Sequence, residues 1–280
     1  MSIPIVLVLL MTGLSFAKGT EPPKSSLTAA DIMARVAANQ DRSQAARKEY
    51  VYKQHIHIVS HKHNGRLARE ETADFDMIPT PDGTQKKLTQ LTGRYSKGGR
   101  YLSFSGEPVP DENSLDGDLI KDFRDDFSND KSKDGLGKDL FPLTSEEQKN
   151  YAFELLGRAV EDGRNVYHIG FRPKDKDEIT WAGEAYIDAA EFEPVRVFTK
   201  LSRRIPFLVR TMLGTDLPGI GFNVVYKRLD EGIWFPATFG TEFRIHAVFF
   251  INRDITISLQ NSAFERTHVK STMKVVGPAN

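Results

Sequence analysis

From Tyr50 onward the chain alternates apolar and polar residues with a period of two, and that regularity excludes a helical bundle or a parallel α/β layout over most of its length. Tyr151, Phe153 and Leu155 alternate up to a turn at Asp162-Gly163, after which Tyr167, Ile169 and Phe171 resume the pattern. Tyr50 to Ser60 and Leu67 to Ile78 flank Asn64-Gly65, a second hairpin signal. Trp181 to Asp188 and Val195 to Leu201 flank a Pro-containing connection. Phe222, Val224 and Tyr226 lead through Asp230-Glu231-Gly232 to Phe235, Ala237, Phe239, Phe243 and Ile245, and Ile255, Ile257 and Leu259 follow a break at Asn252-Arg253-Asp254. About nine to eleven strands are expected. Single-face alternation means that each strand buries one side, as in a large antiparallel sheet covered on one face. A sheet of that width curls, so a sandwich, a closed barrel and a half-open barrel roofed by helices all fit.

One helix precedes the strands. Thr28 is placed to cap it, Asp31 suits its positive amino end, and Ile32, Met33, Val36 and Ala37 share one face. Ahead of it, Ile3 to Ala17 is an uncharged apolar run ending in Ser15-Phe16-Ala17, with small residues at the positions a signal peptidase requires before Lys18. The run is shorter than the roughly 20 apolar residues of a bilayer span. Residues 1–17 are therefore expected to be a signal peptide, and residues 18–280 a single exported, periplasmic domain.

Charge and composition narrow the chemistry. Lys plus Arg number 38 and Asp plus Glu number 38, so no net field draws the chain to nucleic acid. With no Cys there is no thiol nucleophile, disulfide or thiolate metal site. G-x-S-x-G, H-E-x-x-H and a Gly-rich phosphate loop are all missing. Asp130-Lys131-Ser132-Lys133-Asp134-Gly135 begins like a calcium loop, but the twelfth position is Phe141 where a bidentate Glu belongs. The expectation is a non-enzymatic protein without a cofactor.

Three features remain as candidates. His55, His57, His61 and His63 would share one face of a continuous strand, a spacing that suits zinc or copper, a pH-responsive surface or a solvated polar face; Tyr52, Ile56 and Ile58 supply the opposite, buried face. Phe153, Tyr167, Phe171, Trp181, Phe222, Phe235, Phe239 and Phe243 lie on the inward side of the strands, either as an ordinary core or as the lining of a cavity for acyl chains. Ile205, Phe207, Leu208, Met212 and Leu213, between Arg203, Arg204 and Arg210, form either a mobile lid touching a membrane or acylated client, or a buried crossover. Asp111 to Asp139, rich in Asp, Lys, Ser and Gly, reads as a polar connection or a loosely docked helix.

The order of elements also resembles a known superfamily. The apolar run of Ile3 to Ala17, one helix with Leu27, Ile32 and Val36, the Leu155-Leu156-Gly157 hairpin, and the strand Gly183-Glu184-Ala185-Tyr186-Ile187-Asp188 leading to Pro194 are similar to the outer-membrane lipoprotein-sorting and lipoprotein-carrier proteins, the LolA-like and LolB-like superfamily. That resemblance implies an unclosed antiparallel β-barrel with helices forming a lid over an apolar cavity. It also implies lipid or an acylated lipoprotein as partner, transient membrane contact, or, in related folds, an envelope protein partner without bound lipid. The superfamily's cavity arginine matches no single position here.

Overall fold

The computed structural model describes residues 27–80, 83–127, 142–175, 180–202, 215–216, 221–247 and 251–267. The Ile205 to Leu213 stretch, the apolar amino-terminal run and Asp130 to Gly135 lie outside them. The first element, α1 (Ala29–Arg47), begins with a capping box: Thr28 Oγ1 accepts from the Asp31 amide at 3.2 Å, and Asp31 Oδ2 accepts from the Thr28 amide at 3.0 Å. Then follow β1 (Tyr50–Lys62), β2 (Leu67–Thr80), β3 (Gly83–Lys97), β4 (Arg100–Ser105) and a second helix, α2 (Leu115–Phe127). The remaining strands are β5 (Tyr151–Glu161), β6 (Arg164–Pro173), β7 (Trp181–Asp188), β8 (Pro194–Leu201), β9 (Thr215–Asp216), β10 (Gly221–Arg228), β11 (Trp234–Ala247) and β12 (Ile251–Arg266).

All strands join one 12-stranded antiparallel sheet, ordered β4-β3-β2-β1-β12-β11-β10-β8-β7-β6-β5, with β9 beside β11. The first and last long strands meet in its middle, where Ile56 faces Leu259 and Ile58 faces Ile257. The two ends, β4 and β5, do not pair with one another, so the barrel is unclosed. This is the architecture that the superfamily resemblance implies.

Several local expectations hold for clear reasons. Asp162 and Gly163 both adopt positive φ, 48° and 76°, as the tight β5–β6 turn demands. Gly65 closes the β1–β2 turn at φ 74°. One expectation is corrected. Asn252-Arg253-Asp254 lies inside β12, paired with His246, Ile245 and Arg244, because Arg253 turns its charge inward to a carboxylate on α2. Of the two readings of Asp111 to Asp139, the docked helix holds over Leu115–Phe127, where Leu115, Leu119, Ile120 and Phe123 repeat at helical spacing within the polar stretch.

No second sheet covers the inward face among the described residues. Ile32, Met33 and Val36 of α1 and Ile120 of α2 enter the same core cluster as the sheet residues, with Leu119 and Phe123 packed against it. The α1 helix lies against β5, and α2 against β1 and β2.

Candidate functional site

The inward face carries its aromatic residues in five sets of ring contacts. Trp181 meets Phe222 edge-on at 4.8 Å, and Phe222 continues to Phe239 at 5.2 Å. Phe235 packs edge-on against Tyr50 at 5.4 Å and Tyr52 at 5.6 Å, while Phe243 receives Phe123 of α2 at 5.5 Å. Near the β5 edge, Phe171 meets Tyr151 at 6.1 Å, and Tyr167 stacks on Phe192 at 6.0 Å. Phe235 and Phe239 are each 2% exposed, and Tyr167, Phe171, Phe222 and Phe243 are also buried. Phe153 and Trp181 are half-buried at the margin of the cluster. The eight aromatics thus share one face and one continuous core.

What roofs them differs between the halves. The α1 half is bound by a buried polar network. Glu193, in the β7–β8 connection, accepts from Gln40 Nε2 and from Ser43 Oγ, and Arg47 donates from Nε to the Trp234 carbonyl at 2.7 Å. Burial pushes the Glu193 carboxyl above its ordinary range, against the pull of Arg47 and the two hydrogen bonds.

The α2 half is latched by ion pairs at both ends. Arg124 donates to Glu71 Oε2 at 2.7 Å and to Glu112 Oε1 at 3.0 Å, and Arg69 Nε reaches the other Glu71 oxygen at 2.8 Å. Asp116, in the first turn, accepts from Arg253 Nη2 at 2.9 Å and from Ser60 Oγ at 3.3 Å. Between these latches only Leu119, Ile120 and Phe123 reach the core. The spacing of those three residues carries the signal for this helix; Asp116 and Arg124 were legible only as solvated charge, because their partners lie on β12 and β2, far away in sequence.

The outward face of β1 is polar. His55 Nδ1 lies 2.7 Å from Asp74 Oδ1 and His57 Nε2 lies 2.8 Å from Glu70 Oε1, each across the β1–β2 pairing. Burial alone would raise Glu70, but the hydrogen bonds from His57 and Arg94 outweigh it and hold the carboxyl below its ordinary range. His63 falls in the turn beyond β1, so the four histidines do not share one strand. No group of three or more His, Asp or Glu side chains is arranged to hold a metal among the described residues.

One open cleft touches the aromatic face. It has a volume of about 510 Å3 and lies between the β5–β6 hairpin and the β7–β8 turn, where Arg158, Arg164, Asn165, Tyr167, Asp188 and Ala189 line it. Tyr167 is the one member of the aromatic set that also lines this cleft. Arg164 donates to Asp188 Oδ2 at 3.1 Å and stacks over Trp234 at 5.0 Å, while the Arg158 guanidinium lies 5.0 Å over the Tyr167 ring.

No protein-family model and no curated protein matches the chain. Among solved structures it is similar to a protein domain described as outer membrane lipoprotein-sorting from Vibrio parahaemolyticus, with 13% identity over 83% of this chain and 92% of that one and a TM-score of 0.37. It is similar to a DUF1329 family protein from Desulfovibrio piger, with 10% identity over 88% of this chain and 96% of that one and a TM-score of 0.38. A LolA superfamily protein from Nitrosomonas europaea is similar at 10% identity over 87% of this chain and 96% of its own, with a TM-score of 0.34.

Proposed function

We propose that the protein is an exported, non-enzymatic carrier or binding protein, a single domain over residues 18–280 after a signal peptide at residues 1–17, that shelters lipid or lipoprotein acyl chains in the periplasm. The supporting observation is the mode of covering. Over β1 and β2, where Phe123 meets Phe243, the inward face of an unclosed sheet is covered by a helix, α2, held by the Arg124–Glu71 and Asp116–Arg253 pairs and by three apolar side chains that reach the core. Releasing two ion pairs exposes apolar area, and each buried side chain so replaced by an acyl chain exchanges one non-directional contact for another at about 25 cal/mol per Å2. Phe153, Tyr167, Phe171, Trp181, Phe222, Phe235, Phe239 and Phe243 would then line the chain's path, and Ile205, Phe207, Leu208, Met212 and Leu213 would form the lip that meets a membrane or client.

The test is native mass spectrometry of protein purified without detergent, followed by titration with a fluorescent fatty acid. Copurifying acyl species and saturable binding, weakened by Phe153→Ala with the fold retained, support the reading. A protein that stays empty and shows no saturable binding overturns it.

A second reading has its own observation. Leu156 and Val160 of β5 are 47% and 66% exposed, and among the described residues no strand pairs with the outer edge of β5. An extended segment of an envelope protein partner adding to that edge would use the sheet as a packed scaffold, with no lipid bound. Partner binding that is lost in Leu156→Lys and indifferent to fatty acid favours it.

A further inference from the structure

We propose that the cleft between the β5–β6 hairpin and the β7–β8 turn binds the oxyanion head, carboxylate or phosphate, of an acyl amphiphile, with Arg158 as the principal cation. The inference deepens the carrier reading and rests on it for the acyl chain, while the anion site stands on its own geometry.

The carboxylates around the cleft are already committed. Asp188 Oδ1 accepts from the Ala190 and Glu191 amides at 2.9 and 2.8 Å, and its other oxygen accepts from Arg164. Glu191 accepts from Trp234 Nε1 at 3.0 Å and from Arg228 Nε at 2.9 Å. Arg158, exposed, makes no ion pair among the described residues. Arg158 and Arg164 against Asp188 leave a surplus of one positive charge in the cleft.

The guanidiniums are also held in place. Arg158 stacks on Tyr167 at 5.0 Å, Tyr167 stacks on Phe192 with planes 23° apart, and Arg35 of α1 lies 4.7 Å over Phe192. This layered arrangement places the Arg158 guanidinium over the Tyr167 ring and leaves its forked N–H donors, which match carboxylate and phosphate oxygens, available to a ligand. Arg164 uses one nitrogen on Asp188 and keeps further donors. Ala159, Val166, Tyr167 and Ala189 add apolar surface to the lining of the same cleft. Cations and apolar side chains lining one cleft suit an amphiphile's head and first methylenes. A single surplus charge is far too little for a nucleic-acid backbone.

The experiment is isothermal titration calorimetry of the full chain with oleate, oleyl phosphate, oleyl alcohol and inorganic phosphate, repeated on Arg158→Ala and Arg158→Lys, with near-ultraviolet circular dichroism confirming the fold. The two anionic amphiphiles are expected to bind about tenfold or more tightly than the alcohol. Arg158→Ala should abolish that preference and Arg158→Lys restore part of it, and the Arg158 Nε–H signal in the NMR spectrum should shift on binding. Equal binding of acid and alcohol, unchanged by Arg158→Ala, overturns the anion site and leaves the carrier reading standing. Saturation by inorganic phosphate that Arg158→Ala abolishes, with no gain from an acyl chain, identifies a free anion as ligand and overturns the carrier reading instead. Failure of every probe to bind overturns both.

Discussion

Arg124 of α2 donates to Glu71 of β2 at 2.7 Å with both side chains buried, and the same Glu71 carboxylate also serves Arg69. Glu71 thus pairs with two buried cations, of which Arg124 has a second carboxylate, Glu112, at 3.0 Å while Arg69 depends on Glu71. Removing one partner from such a group costs about 3–5 kcal/mol, because the charge left behind is desolvated and unpaired. Glu71→Leu should accordingly lower stability in urea unfolding more than Arg124→Leu, which leaves the Arg69 pair intact. Arg124→Leu should in addition accelerate amide hydrogen exchange in residues 115–127 while the central strands stay protected. Equal exchange in α2 before and after the substitution would refute the latch.

The aromatic face should divide into core and margin. Phe235, 2% exposed between Tyr50, Tyr52 and Phe264, should cost about 3–5 kcal/mol as Ala. Phe153, half-buried beside the free edge, should cost about 1–2 kcal/mol, roughly half the value of a fully buried side chain. Chemical denaturation of the two variants checks the ranking, and similar losses at both sites would mean that the edge is packed as tightly as the centre.

Glu193 sets a pH dependence with a definite sign. Burial raises its folded carboxyl above its ordinary value near 4.5, so between that value and the raised one the folded state binds more protons than the unfolded chain. Its contribution to stability is full below about pH 4.5 and falls as pH rises through the folded value. Glu193→Gln keeps the hydrogen-bonding size and removes the titration, and should flatten the stability profile above pH 4.5. A profile with unchanged slope across that window would show that Glu193 is not the titrating group.

Gly183 leaves no room for a side chain. A Cβ there would meet the Phe198 carbonyl oxygen at 2.0 Å and the Thr199 Cα at 2.8 Å, both backbone atoms of the neighbouring β8. Gly183→Ala should therefore cost about 1–3 kcal/mol through forced displacement of β8, measured as a drop in melting temperature. An unchanged melting temperature would mean that the β7–β8 spacing relaxes freely.

Much of the fold was legible because it rests on local rules. Thr28 and Asp31 cap α1 through neighbouring amides, Asp162-Gly163 turns β5 into β6, and Tyr167, Ile169 and Phe171 bury alternate positions of β6, whereas Leu155 of β5 is exposed. Near Leu155 the period breaks at a bulge, which the sequence shows only as Leu155-Leu156-Gly157. Asn252-Arg253-Asp254 was misleading for a related reason. Turn-forming residues sit inside a strand when one of them is needed to reach a distant carboxylate.

The covalent order of residues decided strand periodicity, the cap, the hairpin turns and the gathering of aromatics on one side, since each depends on neighbours a few positions apart. The joining of β1 to β12 in the middle of the sheet, the latching of α2 by Glu71 and Arg253, and the meeting of Arg35 with Phe192 depend on groups far apart in sequence; 53 residues separate Arg124 from Glu71 and 137 separate Arg253 from Asp116. Such encounters arise only when burial of the apolar face forces the chain to close, because charge partners attract appreciably only once they share a desolvated contact.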